Sequence, residues 1–231
     1  MSRDLYTGYH GAMTAWRQME VVSNNVANVG THGFKSQDVR FIVDDNENEG
    51  GLSPTRAAIS AIDLDMRAGQ LEATGNNNHI AVNGEGWFVV QGGEDELLTR
   101  NGNLSVQSDG SILAAGLPLL GEGGPLRIEP TLPFTIDQNG QVMQEGEPVG
   151  KVRLAFAEEL EPLGGSTYRP VGETRAAAGT VEQGHLERSN VDPMEAMVDL
   201  IMASRHLEIA QKALQASEEM DRNAARNGSP K

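Results

Sequence analysis

The chain has 231 residues, 38% of them hydrophobic, and carries 33 acidic against 18 basic side chains for a net charge of -15, with no cysteine. That length holds one or two domains with a real core, the missing cysteines exclude a disulfide framework or a thiolate metal site, and the acidity argues against binding nucleic acid through phosphate neutralisation while keeping the chain soluble. Mean hydropathy is -0.40 and no apolar run approaches the roughly 20 residues of a membrane helix; Met1-Ser2-Arg3-Asp4 leads into an amphipathic stretch, so neither membrane insertion nor a cleavable signal is expected.

Leu5, Tyr9, Ala12, Trp16, Met19, Ser23 and Val26 recur at alternating spacings of four and three. This heptad-type seam predicts a helix from about Arg3 to Asn28. Gly8 and Gly11 each weaken it by roughly 1 kcal/mol relative to Ala, so the helix needs a partner. The run Ser23-Asn24-Asn25-Val26-Ala27-Asn28-Val29-Gly30-Thr31-His32-Gly33-Phe34-Lys35 follows. Asn and Gly readily take left-handed conformations and end helices, which predicts a sharp turn and an extended segment launched through Phe34. Asp44 to Gly51 is an acidic run of linker composition. It superficially resembles a calcium loop, but its glycine falls one place late and Thr55 stands where the closing Glu belongs; it is read as a mobile loop.

From Leu71 to about Tyr168 the pattern changes to short strands: Ile80–Val82, Trp87–Val90, Leu97–Thr99, Leu104–Val106, Ile112–Leu113, Phe134–Ile136, Gln141–Met143 and Val152–Phe156. Asp109-Gly110 and Asn139-Gly140 favour the primed turns of hairpins. Pro118, Pro125, Pro130 and Pro133 make long strands there untenable. The region reads as a compact, mainly antiparallel β domain.

A second helix is well marked at its start. Asp192 can cap it, Pro193 suits the first helical position, and Glu195 stands where a capping box wants an acid. It is predicted to run to about Arg226, with a seam of Ala196, Leu200, Ala203, Leu207, Ala210, Leu214 and Ser217. A second apolar strip, including Met194, Val198, Ile201, Ile209 and Ala216, lies on a roughly opposite face. A helix apolar on two sides must be buried on two sides, and the chain has no third long helix to do it. This is a physical pointer to assembly.

The N-terminal motif resembles a signature of the flagellar rod and hook proteins, an Asn-Asn-x-Ala-Asn segment followed by Thr-x-Gly-Phe-Lys. The run Gln183-Gly184-His185-Leu186-Glu187-Arg188-Ser189-Asn190-Val191 is similar to the second signature of that family, which leads into its terminal helix. Gly69–Asn76, Gly84–Val90 and Thr99–Leu104 continue the likeness, which covers nearly the whole chain in order. The resemblance implies an α+β fold in which the N- and C-terminal helices pair as a coiled-coil-like inner domain and a central, mainly antiparallel β domain sits outside them. The expected divisions are 1–35 for the N-terminal helix and turn, 36–70 for an extended connecting segment, 71–175 for the β domain, and 176–231 for the return segment and C-terminal helix. It further implies a structural subunit of the basal-body rod, polymerised helically with copies of itself and other rod subunits, and exported through the flagellar type III apparatus. The short chain and single β domain disfavour the hook protein. The compact connection from Phe41 to Ala68 leans toward the proximal rod, with a distal-rod or hook-type place as the alternative.

The residues expected at subunit contacts are Leu5, Tyr9, Trp16 and Met19 against Leu200, Leu207 and Leu214. Asn24, Asn25, Asn28, Gly33 and Phe34 are expected to set the helix exit, and Gln183, Leu186, Ser189 and Asn190 to fix the return. Enzymatic readings find little: Gly84-Glu85-Gly86 lacks the third glycine of a dinucleotide loop, and the five histidines are scattered. No catalytic, metal or cofactor residue is assigned, and no cofactor is expected. The rival from another class is a monomeric secreted β-domain binding module with coiled-coil flanks, its Asn-Gly turns forming a ligand surface.

Overall fold

The computed structural model describes residues 3–44 and 56–227. The acidic stretch from Asp45 on, with its calcium-loop likeness, lies outside them. The chain forms two compact units, one comprising Met1–Ala27, Gln37–Asp65 and Val191–Lys231, the other Asn28–Ser36 and Met66–Asn190. The fold class is α+β, with a mostly antiparallel β domain and a helix near each end.

The first unit holds two helices and a hairpin. Helix α1 spans Arg3–Ala27 and helix α2 spans Pro193–Asn227, and the two pack against each other. The start of α2 is capped as its sequence requires: Asp192 Oδ1 accepts from the N–H of Met194 at 2.8 Å and of Glu195 at 3.1 Å. Ala196, Ala203 and Ser217 are buried, and Leu200, Leu207 and Leu214 half-buried. The small residues recur every seven positions, which lets another backbone approach closely. Along α1 the most buried of the described side chains are Ala15 and Val21, whereas Tyr9 and Trp16 stay 56% and 58% exposed. Of the α1 seam drawn from Leu5, Tyr9, Trp16 and Met19, the two aromatic residues are therefore not covered within one chain, and Met19 is half-buried.

Residues 36–70, expected as an extended connection, contain an antiparallel hairpin. Strand β1 (Gln37–Asp44) pairs with strand β2 (Arg56–Leu64), and the register shifts between Arg40 and Phe41. The Ala-rich sequence of β2 carries no alternation to announce it, so it comes from pairing with β1.

The second unit is the β domain. Its largest sheet has six antiparallel strands in the order Glu159–Gly164, Thr167–Val171, Asp95–Thr99, Trp87–Gly92, Leu154–Phe156, Arg175–Ala176. Pro162 sits in the edge strand, where a missing N–H costs no ladder bond. Two small meanders follow the expected turns: Leu104–Val106 with Ile112–Ala114 across Gly110, and Phe134–Ile136 with Gln141–Gln144 across Gly140. Both glycines have positive φ, 83° and 79°. Asp137 Oδ1 accepts from the N–H of Asn139 and of Gln141 and so closes the second turn. The proline-rich part between Leu117 and Pro133 holds only two-residue strands. Ile80, Val82, Phe88, Val90, Ile112, Leu119, Val142 and Val181 build the core.

Candidate functional site: the junction of the two signature segments

The two signature segments meet inside the β unit. Strand His185–Glu187 pairs with Leu71–Ala73, and Glu187 lies opposite Leu71. Neighbouring side chains on a strand point to opposite faces, yet Leu186 and Glu187 are both buried, so both faces are covered. The N–H of Gly33 donates to the carbonyl of Glu187 at 2.8 Å, and the N–H of Asn190 to the carbonyl of Phe34 at 3.4 Å. Gly33 is required twice over. Its φ is +68°, and a Cβ there would stand 2.3 Å from the carbonyl carbon of Arg100.

At the crossing lies a charge cluster closed to water. Lys35 and Glu187 are 0% exposed and Arg100 is 6%. Lys35 Nζ donates to Glu187 Oε1 at 2.7 Å and to the carbonyl of Arg67 at 2.7 Å. Arg100 donates from one guanidinium nitrogen to Glu187 Oε2 at 3.0 Å and to the carbonyl of Val82 at 3.1 Å, and from the other to the carbonyl of Gly84 at 2.8 Å. Glu187 Oε1 also accepts from the N–H of Gly69 at 2.9 Å. Two cations thus share one carboxylate. The surplus positive charge is met by backbone carbonyls and by the Trp87 ring, whose centroid lies 5.7 Å from Lys35 Nζ and 5.3 Å from the Arg100 guanidinium carbon. Arg100 Nε is the one guanidinium position without a hydrogen-bond partner.

Tyr168 completes the wall. Its hydroxyl accepts from the N–H of Lys35 at 2.8 Å, and its ring meets Trp87 edge-on at 5.1 Å. Burial pushes the Tyr168 phenol well above its ordinary value, the Lys35 N–H works against that shift, and the Glu187 carboxylate adds to it.

Such a cluster is a weak source of net stability, because desolvation offsets most of the attraction. It is a strong source of specificity, because Glu187 without its cations, or the two cations without Glu187, leaves charge uncompensated in the interior. It joins residues 35, 100 and 187, which no local structure brings together.

Of the motif residues named from the sequence, Gly33, Phe34, Leu186 and Asn190 gather here. Asn190 Oδ1 accepts from the N–H of Ser36 at 2.7 Å, and its Nδ2 donates to the carbonyl of Arg67 at 3.2 Å. Ser189 stands next to them, half-buried. Asn28 shapes the turn before them: its carbonyl accepts from the Thr31 N–H and its Oδ1 from the Thr31 hydroxyl, both at 3.0 Å. Gln183 works elsewhere in the unit, donating to the carbonyl of Asn77 at 2.7 Å and accepting from the N–H of Ile136 at 3.0 Å. Asn25 belongs to the helical unit. Its Nδ2 donates to the carbonyl of Gln37 at 2.8 Å and its Oδ1 accepts from the same residue's N–H at 2.9 Å, so a side-chain amide pairs with the first residue of β1. Asn24 is exposed near the end of α1.

Sequence reasoning passed over Lys35, Arg100, Glu187, Trp87 and Tyr168. The available signal was adjacency: Lys35 follows Phe34, and Glu187 follows Leu186, inside the quoted motifs. Alternation sends such neighbours outward, and only a covered second face turns them in.

The helical unit offers a different surface. On α2, Met194, Met197, Val198, Ile201, Met202, Ile209 and Met220 are each close to half or more exposed. On α1, Tyr9, Met13 and Trp16 form an exposed stripe at four- and three-residue spacing. Met19 is half-buried, and Leu5 lies in α1 with its side chain outside those described. Among the described residues no cluster of three or more histidine or acidic side chains could hold a metal, and no helix is long and apolar enough to cross a membrane.

Comparison with known proteins adds the following. Residues 5–35 match the family described as flagella basal body rod protein, residues 81–144 the flagellar hook protein FlgE/F/G D1 domain, and residues 182–227 the flagellar basal body rod FlgEFG protein C-terminal region. The chain is 32% identical to flagellar basal-body rod protein FlgF of Salmonella typhimurium, covering 97% of each chain. It is 31% identical to FlgF of Caulobacter vibrioides, again over 97% of each, and 29% identical to flagellar basal-body rod protein FlgG of Bacillus subtilis, over 95% of this chain and 97% of the relative.

Proposed function

The chain belongs to the family of flagellar basal-body rod proteins, and from that premise we propose that it polymerises helically through its terminal helices to form part of the torque-transmitting shaft and export channel. It is a structural rod subunit of the basal body. The observation that carries the polymerisation reading is the second apolar face of α2, turned to solvent opposite a seam already occupied. A head-to-tail contact that does not close on itself gives a helical filament. In this reading α1 and α2 pair as a coiled-coil-like inner layer, supported by the alternation of small and large residues along the α2 seam. Leu200, Leu207 and Leu214, only half-buried along that seam, keep an open side on which Leu5, Tyr9, Trp16 and Met19 of a neighbouring subunit pack, and the exposure of Tyr9 and Trp16 favours this.

The partners are further copies, other rod and hook subunits, and the flagellar type III export apparatus, through which the chain passes to reach a rod that spans the periplasm. The compact connection from Phe41 to Ala68 favours a proximal place, with a distal-rod or hook-type place as the alternative.

Removing residues 193–231 is the direct test. The truncated chain is expected to be absent from purified basal bodies while its β unit keeps its protease resistance. Crosslinking of the intact chain in those particles is expected to join it to other rod subunits. Recovery of the intact protein solely as a free monomer overturns the reading.

A further inference from the structure

The chain carries nine methionines and no cysteine, so its thioethers meet no competing thiol for a peroxide. Four of the nine lie on α2: Met194, Met197, Met202 and Met220 are 74%, 55%, 54% and 65% exposed. At about 100° per residue they fall on the side of α2 away from Ala196, Ala203 and Ser217, among Val198, Ile201 and Ile209. Met143 is the internal contrast, half-buried in the strand Gln141–Gln144 of the β unit.

We propose that this face is an oxidative modification site: hydrogen peroxide converts Met194, Met197, Met202 and Met220 to sulfoxides in the free subunit, and the conversion stops the subunit from assembling. In each step the thioether sulfur attacks a peroxide oxygen, the O–O bond breaks, an S–O bond forms, and water leaves. The sulfur is oxidised by two electrons and the peroxide reduced by two. A flexible apolar side chain becomes a polar, chiral acceptor. Val198, Ile201 and Ile209 offer it no donor, Lys212 is paired with Glu208 at 2.6 Å, and the exposed Arg205 on this side stands within a turn of Met202 but about three turns or more from Met194 and Met220. A neighbour docking on this face would bury an unsatisfied acceptor. Once a neighbour covers the face the sulfurs are shielded, so the unassembled subunit is the vulnerable form. The assembly half of this inference rests on the polymerisation reading above; the oxidation half does not.

The purified full-length chain treated with hydrogen peroxide is expected, by peptide-resolved mass spectrometry, to gain oxygen at the four α2 methionines several-fold faster than at Met143. Equal rates overturn the proposal. In bacteria, incorporation of newly made wild-type chain into basal bodies is expected to fall several-fold under sublethal peroxide. A variant carrying M194L, M197L, M202L and M220L, which keeps the apolar volume, is expected to assemble as before. An equal loss in both backgrounds, with normal assembly in untreated cells, overturns the inference alone. Absence of the untreated wild-type chain from basal bodies overturns the rod reading and the assembly half with it.

Discussion

In the β unit a lysine, a glutamate and an arginine are sealed from water, while in the helical unit methionines and isoleucines stand in it. The contrast is one of completeness. The β unit satisfies its own buried charges from residues 35, 100 and 187 and its own apolar surface with a shared core. The helical unit satisfies only one of the two apolar faces of α2. A chain built this way closes its charges and core in one unit and leaves an apolar helix face open in the other.

The largest way to break this contrast is to open the closed side. Glu187→Ala leaves Lys35 and Arg100 buried without their shared carboxylate and is expected to cost about 3–5 kcal/mol, read as a lower denaturant midpoint. A change no larger than that of an exposed substitution would show that the cluster is not sealed. Next comes the crossing point. Gly33→Ala combines a positive φ with a backbone overlap and is expected to cost about 2–3 kcal/mol or more. Gly75→Ala, at the same φ of +68° but with nothing within 4 Å, is expected to cost about 1 kcal/mol. Thermal melts of the pair separate strain from collision.

A pH effect of intermediate size follows from Tyr168. Its folded-state pKa is raised, so the stability it contributes is fully present below the unfolded phenol value near 10.0 and is lost as pH rises beyond it. Alkaline unfolding of the β unit is expected to begin above that pH, with tyrosinate absorbance tracking it, and to shift upward in Tyr168→Phe when each protein is compared with its own neutral-pH stability. The smallest effect on stability sharpens the contrast from the open side. Ile201→Ser, at a position 56% exposed, is expected to change monomer stability by within about 0.5 kcal/mol while cutting incorporation into basal bodies sharply. A large loss of monomer stability would mean that the chain covers this face itself.

Much of the architecture was legible in advance. The capped start of α2 at Asp192 and Pro193 rests on short-range chemistry, as do the hairpins at Gly110 and Gly140. The small-and-large seam of α2 was legible because helical periodicity is a local property. The β1–β2 hairpin was not: Ala57, Ala58 and Ala61 have no strand preference of their own, and pairing supplies it. The edge hairpin of Glu159–Gly164 with Thr167–Val171 was hidden by Pro162 and by two glycines. At the site, Gly33, Phe34, Leu186 and Asn190 were named from the motifs, whereas their charged neighbours Lys35 and Glu187 were passed over.

What the sequence by itself determined were the elements and their order, the family, and the surplus of apolar surface on α2, because each depends on residues near one another in the chain or on composition. Tertiary structure alone decided that Lys35 and Glu187 are partners across 152 positions. It also decided that Ala15 and Val21, rather than Tyr9 and Trp16, are the buried side of α1. Burial is a property of what covers a residue, and what covers these comes from the far end of the chain.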